Sequence, residues 1–425
     1  MERVLLCARD HAGQRALHTS RLSIEISRFR WGSSVGTTEC GSAACEHPRL
    51  RLVPSWAALS RFWIDRGGYQ VIGIDTNIRT RIGLVANPSA GRGQVEIVKI
   101  VRSLFALLIK QDIHLIDDTF ESHLAAESGV RPTLIPASSG ADLDARRTAA
   151  LLLQNDIDVL VGIGGDGTLC DIASAILDTQ STVHLLGIGA GSANVGPLVS
   201  MLGQDVDRLS LDMLQERRIH GIDAYAHGNL VGTAFNDVVL GNSFFGTRDD
   251  TRIDLDAAAK LAGEDRLAEP TTICGPATWV SKNGKRMLSY GTDGFAQLIA
   301  SPLNEGGVYA GKAISGLMCW GPYLGNHAVL AAASAVMVRT QLGLEDLNAA
   351  EPLRVAHISF GKDDRIDIGG LLADGALILD GNPTCLLSPS DVVTLRLRLD
   401  AIRVLRPLAF SRGLEPDDPV LNQNE

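Results

Sequence analysis

The chain has 425 residues, 45% of them hydrophobic and 21% charged, a composition typical of a folded globular protein rather than a disordered one. Its net charge of −10 argues against a nucleic-acid-binding protein, because binding to phosphates requires a basic surface. No apolar run reaches the roughly 20 residues that a membrane-spanning helix needs, and the 7 cysteines lack the paired spacing of a zinc site. We therefore expect a cytoplasmic protein with reduced cysteines and room for two domains.

The N-terminal segment differs in charge from the rest of the chain. The first 81 residues contain 12 arginines, no lysine and 7 acidic residues, a balance of +5, whereas the remaining 344 residues carry −15. The acidic residues argue against a transit peptide, and no apolar core typical of a secretory signal is present. We expect residues 1–72 to be a poorly ordered extension, or the product of a start site assigned too far upstream.

The next part of the chain alternates strand-like and helix-like segments. Strands are predicted at 80–86, 113–118, 132–135, 156–164 and 182–189, and helices at 94–110, 143–154 and 168–178. Such alternation predicts a parallel sheet with helices on both faces. We assign residues 73–218 to an α/β nucleotide-binding domain.

Beyond residue 219 the pattern becomes β-rich. Hairpin turns are predicted at 227–229 and 282–284, and residues 365–399 show short strands at about ten-residue spacing. An alanine-rich run at 328–338 favours a buried helix. These segments predict a β-rich acceptor-binding domain over 219–408, with a tail at 409–425. The crevice between the two domains is the expected active site.

The stretch LVGIGGDGTL, residues 160–169, carries the strongest functional signal. A strand enters a turn that glycines leave free of side chains, and a helix opens near Thr168. Exposed backbone N–H groups and the positive end of that helix are suited to a phosphate. Asp166 is unexpected there, since a carboxylate repels phosphate. It has three possible uses: to cap the helix, to bind Mg²⁺, or to accept a proton from an attacking hydroxyl.

Two other phosphate-loop motifs match only formally. The spacing Gly162-x-Gly164-x-x-Gly167 fits a dinucleotide fingerprint, but the next strand ends in glycine rather than in the required acid. Residues 306–313 fit GxxxxGK, but Ala313 stands where a P-loop needs Ser or Thr. We reject both interpretations.

GGDGT, residues 164–168, resembles the signature of the superfamily of NAD kinases and diacylglycerol or sphingosine kinases. Other segments resemble further superfamily motifs in the same order: NPSAG (87–91), GIGAGSANVGP (187–197), FNDVVLG (235–241), TDGFAQLIASP (292–302) and LILDGNPTCLLSPSDVVTLRL (377–397). The resemblance covers about residues 80–405. It is strongest to the NAD kinase-like branch that includes acetoin-catabolism protein X.

This resemblance implies a kinase that transfers a phosphoryl group from ATP, with Mg²⁺, to a hydroxyl of NAD or a related small molecule, and it implies a homo-oligomer. Asp166 would be the catalytic residue that engages the acceptor hydroxyl. The implied nucleotide- and phosphate-binding residues are Asn87, Gly164, Gly165, Gly167, Thr168, Gly191, Ser192 and Asn194. The implied acceptor-binding residues are Asn236, Asp237, Asp293, Ser301 and Tyr309.

One departure from the family pattern leaves the acceptor open. NAD kinases usually follow the Thr-Pro of their strand with GSTAY, whereas Ser301-Pro302 is followed here by a different sequence containing Glu305. One alternative is a lipid or other small-molecule kinase, for which Phe244 and Phe245 offer apolar surface. The other is a catalytically silent nucleotide-binding protein.

Overall fold

The computed structural model describes residues 62–64, 70–72, 79–91, 93–137, 143–191, 194, 196–248, 251–304, 327–340 and 353–408. Strands and helices alternate in the first half: β1 (Phe62–Ile64), β2 (Gln70–Ile72), β3 (Arg81–Ala86), α1 (Gln94–Leu107), β4 (Asp112–Ile116), α2 (Phe120–Glu127), β5 (Thr133–Ile135), α3 (Ala145–Leu153), β6 (Val159–Gly164), α4 (Asp166–Asp178), β7 (His184–Gly189) and β8 (Met201–Leu202). Two short 3₁₀ turns at 203–208 and 211–213 end this part.

The second half is mostly strands: β9 (Leu214–Ala226), β10 (Asn229–Ala234), β11 (Val238–Gly241), β12 (Ser243–Arg248), β13 (Thr251–Asp256), α5 (Ala257–Leu261), β14 (Trp279–Lys282), β15 (Lys285–Ser289), α6 (Tyr290–Asp293), β16 (Gln297–Pro302), β17 (His327–Ala333), β18 (Val355–Gly361), β19 (Ile366–Gly369), β20 (Gly375–Leu379), β21 (Asn382–Leu387) and β22 (Val393–Pro407). The predicted fold class, an α/β part followed by a β-rich part, is confirmed. Both predicted hairpin turns form, between β9 and β10 and between β14 and β15.

A parallel sheet in the order β7-β6-β3-β4-β5 organises the first half. β6 is buried along its whole length, and its alternate side chains point to opposite faces. Val161 and Ile163 pack in a cluster with Leu104 of α1, whereas Leu160 packs in a cluster with Leu169 of α4. Helices thus cover both faces, which explains the continuous apolar run of β6.

The last strand ties the second half to the first. β22 pairs in parallel with β7 and antiparallel with β9, so the parallel sheet continues into strands from the far end of the chain. Sequence patterns placed 393–399 in a separate all-β unit. Those residues pair with β9 and β19, whereas the contact with β7 is made by Arg403 and Val404 further along β22; pairing between segments some 200 residues apart leaves no local signal.

A second sheet, antiparallel, has the order β18-β17-β16-β11-β20-β21. The alanine-rich run, expected to be helical, lies here as the strand β17 through Ala333. The helix prediction was wrong because both faces of β17 are buried: Leu330 packs in one core cluster and Val329 in another. Small side chains suit a strand enclosed on both sides, and this packing outweighs the helix preference of alanine.

The helices of the described residues are short. The longest of them, α1, has 14 residues, and none in this part of the chain is both long and apolar enough to cross a membrane.

A buried hydrogen bond between a glutamate and a histidine crosses β22, which lies between β9 and β7 in the sheet. Glu216 of β9 lies 2.9 Å from His184 of β7, and both side chains are at most 10% exposed. The hydrogen bond with His184, followed by that with Arg218, lowers the pKa of Glu216 from 4.5 to about 2 against the opposing effect of burial.

Because this pKa is lowered on folding, the stabilisation is present above pH 4.5 and is lost as the pH falls towards about 2. We expect Glu216→Gln to remove on the order of 3 kcal/mol of unfolding free energy at pH 7 and little at pH 2. Urea unfolding at both pH values measures this, with the exposed Glu264→Gln as control. An equal loss at both pH values would contradict the assignment.

Candidate functional site

The turn between β6 and α4 places Asp166 at the start of a helix. The helix begins two residues earlier than predicted, with Gly165 as its N-cap residue and no side-chain cap. The Asp166 Oδ1 atom instead accepts a hydrogen bond of 2.8 Å from the backbone N–H of Gly196. Of the three possible uses of Asp166, the role of N-cap residue is therefore excluded. Its carboxylate faces the loop that follows β7.

The two glycine loops predicted to bind phosphate lie against each other. A Cβ atom built on Gly191 would lie 2.5 Å from the Cα of Gly165, a distance at which only glycine fits. Asn194 closes the second loop, since its Oδ1 accepts from the Gly191 N–H and its Nδ2 donates to the Gly191 carbonyl, both at 2.7 Å. The side chain of Asn194 is thus a structural element of its own loop.

Asn87 joins the loop after β3 to the start of α4. Its Nδ2 donates to the Thr168 Oγ1 at 2.9 Å, and its Oδ1 accepts from the Ser89 N–H at 2.9 Å. The structure therefore brings Asn87 and Thr168 together, as expected if both border one phosphate site. Thr168 is buried, with 7% of its surface exposed.

A cleft of about 740 Å³ opens at the carboxyl ends of β3, β4 and β5. The first turns of α2, α3 and α4 border it, so the positive ends of three helices meet there. Among the residues that the structure describes, no lysine or arginine lines this cleft. Five carboxylates line it: Asp117, Asp118, Glu121, Asp144 and Asp171. Burial, and next the charge of Asp144, raise the pKa of Asp171, as expected in a negative environment.

Glu121 of α2 is a residue of this cleft that sequence reasoning missed. It is only 3% exposed, and its Oε1 accepts a hydrogen bond from the backbone N–H of Ala86, the residue before Asn87. Burial is the main cause that raises the pKa of Glu121 above 4.5, and the hydrogen bond from Ala86 opposes it. No motif marks this glutamate, since only the packing of α2 against β3 places it there.

A raised pKa means that burying this carboxyl costs stability as the pH rises above 4.5, because the unfolded state ionises first. We expect Glu121→Gln, which keeps the acceptor oxygen, to raise the melting temperature at pH 8 relative to wild type and to leave it unchanged near pH 4. Melting curves across this range, with the exposed Glu127→Gln of the same helix as control, measure the effect. A variant less stable than wild type at pH 8 would show that the ionised form is favoured.

The predicted acceptor residues Asn236, Asp237 and Ser301 lie together. The Asn236 Nδ2 donates to Asp237 Oδ2 at 2.9 Å, and the Ser301 Oγ donates to the Asn236 carbonyl at 2.6 Å. The Asn236 Oδ1 is buried and has no hydrogen-bond partner within the described residues. The loop at 235–237 also contacts Asp380, in the turn between β20 and β21, a second residue that sequence reasoning did not single out.

Of the remaining predicted site residues, Asp293 is bonded within its own turn instead. Asp293 is exposed, and its Oδ2 accepts from the Ser289 N–H at 2.8 Å and from Thr292 Oγ1 at 3.0 Å, both in its own turn. Ser192 and Tyr309 lie outside the described residues, as does Glu305.

Residues 82–196, which contain both glycine loops and the Asn87 loop, match the family model of the ATP-NAD kinase N-terminal domain. The likeness to ATP-NAD kinases lies in this part of the chain, from β3 to the loop after β7. A domain of this kind indicates a kinase-type phosphotransferase.

Relatives are found in sequence and in structure. An uncharacterized protein of Archaeoglobus fulgidus is 29% identical over 305 residues, which cover 71% of this chain and 91% of that protein. The crystal structure of yeast NADH kinase complexed with NADH gives a TM-score of 0.47 at 12% identity, covering 84% of this chain and 93% of the other. A putative diacylglycerol kinase from Bacillus anthracis gives 0.47 at 14% identity, covering 76% and 96%.

Proposed function

We propose that this protein is an ATP-dependent kinase of the NAD kinase type that transfers a phosphoryl group to a hydroxyl of NAD or a related small molecule. The observation that carries the proposal is the position of Asp166. It stands on the first turn of α4 inside a phosphate-type glycine loop, yet it does not cap the helix. A carboxylate kept at such a place suits contact with a hydroxyl that attacks phosphorus.

The donor would bind at the loop of residues 164–168 and in the adjoining cleft. Backbone N–H groups at the start of α4 would hold the phosphates. The hydrogen bond from Asn87 to Thr168 would hold the loop after β3 against the start of α4. The cleft of about 740 Å³ is large enough for the remainder of a nucleotide.

The chemistry of the cleft fits a donor bound with Mg²⁺. The described lining offers carboxylate oxygens, the ligands that Mg²⁺ prefers, and no cationic side chain to balance a triphosphate. Asp171, on the second turn of α4, would hold the ion together with phosphate oxygens. When bound, Mg²⁺ would neutralise charge on the transferred group.

Asp166 would act at the acceptor. Phosphoryl transfer passes through a loose transition state, so positioning of the hydroxyl matters more than strong activation. We assign to Asp166 the roles of orienting that hydroxyl and taking its proton late in the reaction. Asn236 and Asp237 would bind the acceptor, and Ser301 would support their loop through the Asn236 carbonyl. Roles for Asp293 and Tyr309 in acceptor binding, a homo-oligomer and a cytoplasmic location remain sequence-based proposals.

The lipid-kinase alternative draws no support from the aromatic pair. Phe244 is buried with 7% exposed and packs in a core cluster, whereas Phe245 points to the opposite side of β12 with 44% exposed. The two side chains therefore do not form one apolar groove.

The proposal is tested by phosphoryl transfer from γ-labelled ATP with Mg²⁺ to NAD, NADH, a panel of hydroxylated metabolites and diacylglycerol in detergent micelles. Labelled NADP or NADPH would support the NAD kinase assignment. Transfer only to another acceptor would keep the kinase and change its substrate. Binding of ATP without transfer to any acceptor would favour the silent nucleotide-binding protein.

A further inference from the structure

The turn between β20 and β21 carries a carboxylate with an unusual set of partners. Asp380 has a positive φ of 50° and is followed by Gly381 at 80°, the backbone of a tight hairpin turn. Its Oδ1 accepts from the backbone N–H groups of Asn236 and Asp237, at 2.6 and 2.9 Å. Its Oδ2 accepts from the Phe235 N–H at 2.8 Å and from the Cys170 thiol at 3.0 Å.

These contacts connect two parts of the candidate site. Three consecutive backbone N–H groups end on one carboxylate, which fixes the conformation of the loop that carries Asn236 and Asp237. The fourth donor, Cys170, stands one turn beyond Asp166 on α4. The hairpin also packs on the start of that helix, since a Cβ atom on Gly167 would lie 3.3 Å from Asn382 Nδ2.

The protonation states agree with this arrangement. Burial, followed by the charge of Asp380, raises the pKa of Cys170 well above 9.0, so the thiol keeps its proton and remains a donor. Burial raises the pKa of Asp380, and the donated hydrogen bonds oppose that rise. The two oxygens of a carboxylate have enough acceptor sites for all four of these donors.

We propose that Asp380 is a positioning residue. It holds the acceptor loop at 235–237 in a fixed position relative to the turn of α4 that carries Asp166. Asp380 contacts neither phosphate nor acceptor in this scheme and acts through the loop. The inference rests on the proposed function, because the relative position of this loop and the α4 turn matters only if a phosphoryl group passes from a donor at the turn to an acceptor at the loop.

The kinetic test is Asp380→Asn. An asparagine keeps one acceptor oxygen but turns an NH₂ group towards the two donors on the other side, so the loop loses its fixed position. Leaving buried N–H groups unpaired is costly, and we expect the KM for NADH or NAD to rise about tenfold or more while the KM for ATP changes less than about twofold. Asp374→Asn, at the exposed other end of β20, is the matched control and keeps wild-type values.

Hydrogen–deuterium exchange resolved to single residues tests the contact without activity. In the wild type, we expect the N–H groups of Phe235, Asn236 and Asp237 to be protected relative to the exposed turn at His227 and Gly228. In Asp380→Asn this protection is lost, while that of β6 is retained. Wild-type exchange at 235–237 as fast as at 227–228 overturns the proposal, even if the variant does not fold.

The two failures are distinguishable. If the wild type transfers phosphate and Asp380→Asn matches it in KM for the acceptor, the positioning role is wrong and the proposed function stands. If the wild type transfers nothing, the proposed function fails and the exchange data alone decide whether Asp380 fixes the loop.

Discussion

Asp166→Asn should lower phosphoryl transfer by about 10²–10⁴-fold, the range typical for loss of a positioned acid–base group. The amide retains an oxygen that can accept the hydrogen bond from Gly196, so the contact between α4 and the loop after β7 is kept. It lacks the second carboxylate oxygen that would accept the proton of the acceptor hydroxyl. We therefore expect the rate to fall while the melting temperature and ATP binding stay close to the wild type.

The matched control is Asp178→Asn, at the last residue of the same helix. Its carboxylate pairs with Arg146 at 2.6 Å, and both side chains are more than half exposed, so little stability depends on this pair. The rate should remain that of the wild type. Full activity of Asp166→Asn would remove Asp166 from the mechanism, and unfolding of that variant would show a structural role instead.

Gly191→Ala should disrupt the proposed phosphate site through the backbone. The added Cβ would lie 2.5 Å from the Cα of Gly165, and backbone atoms cannot move aside as a flexible side chain can. The loop after β7 must then separate from the loop before α4. We expect a loss of about 1–3 kcal/mol in stability, as in overpacked cores, and at least a tenfold weaker affinity for Mg²⁺–ATP, equivalent to about 1.4 kcal/mol.

Gly291→Ala provides the control, because a Cβ atom at that glycine meets nothing within 4 Å and its φ is not positive. Calorimetric titration with a non-hydrolysable ATP analogue and thermal unfolding give both quantities. Unchanged affinity in Gly191→Ala would mean that the donor does not use the contact between the two glycine loops.

Most of the order of elements between β3 and β7 could be predicted because it follows from local pattern, although α2 was missed. Periodic apolar residues mark α1 and α3, and unbroken apolar runs mark β6 and β7. Prediction failed where packing opposed local preference. The alanine-rich segment at β17 becomes a strand because the second sheet encloses it on both faces. The pairing of β22 with β7 could not be predicted, since residues that far apart share no pattern.

The same division holds for the candidate site. Asp166 and its glycine loop were predicted from residue types and spacing, since such a loop is a local structure with a short motif, whereas Asn87 and the second glycine loop were predicted from the family resemblance. Glu121 and Asp380 were missed because their importance comes from what they touch. Glu121 contacts Ala86 across the interface between α2 and β3, and Asp380 contacts a loop some 140 residues earlier in the chain.

The sequence alone thus determined that the chain alternates strands and helices before a β-rich part, and that a carboxylate lies within a phosphate-type glycine loop. Local preference and periodicity suffice for both, because each depends on residues a few positions apart. Tertiary structure alone decided that the loop at 235–237 is tied to α4 through Asp380, that Asp293 is hydrogen-bonded within its own turn, and that carboxylates line the cleft. Those features depend on which distant segments pack together, and packing is the free-energy balance of the whole fold rather than a property of any segment.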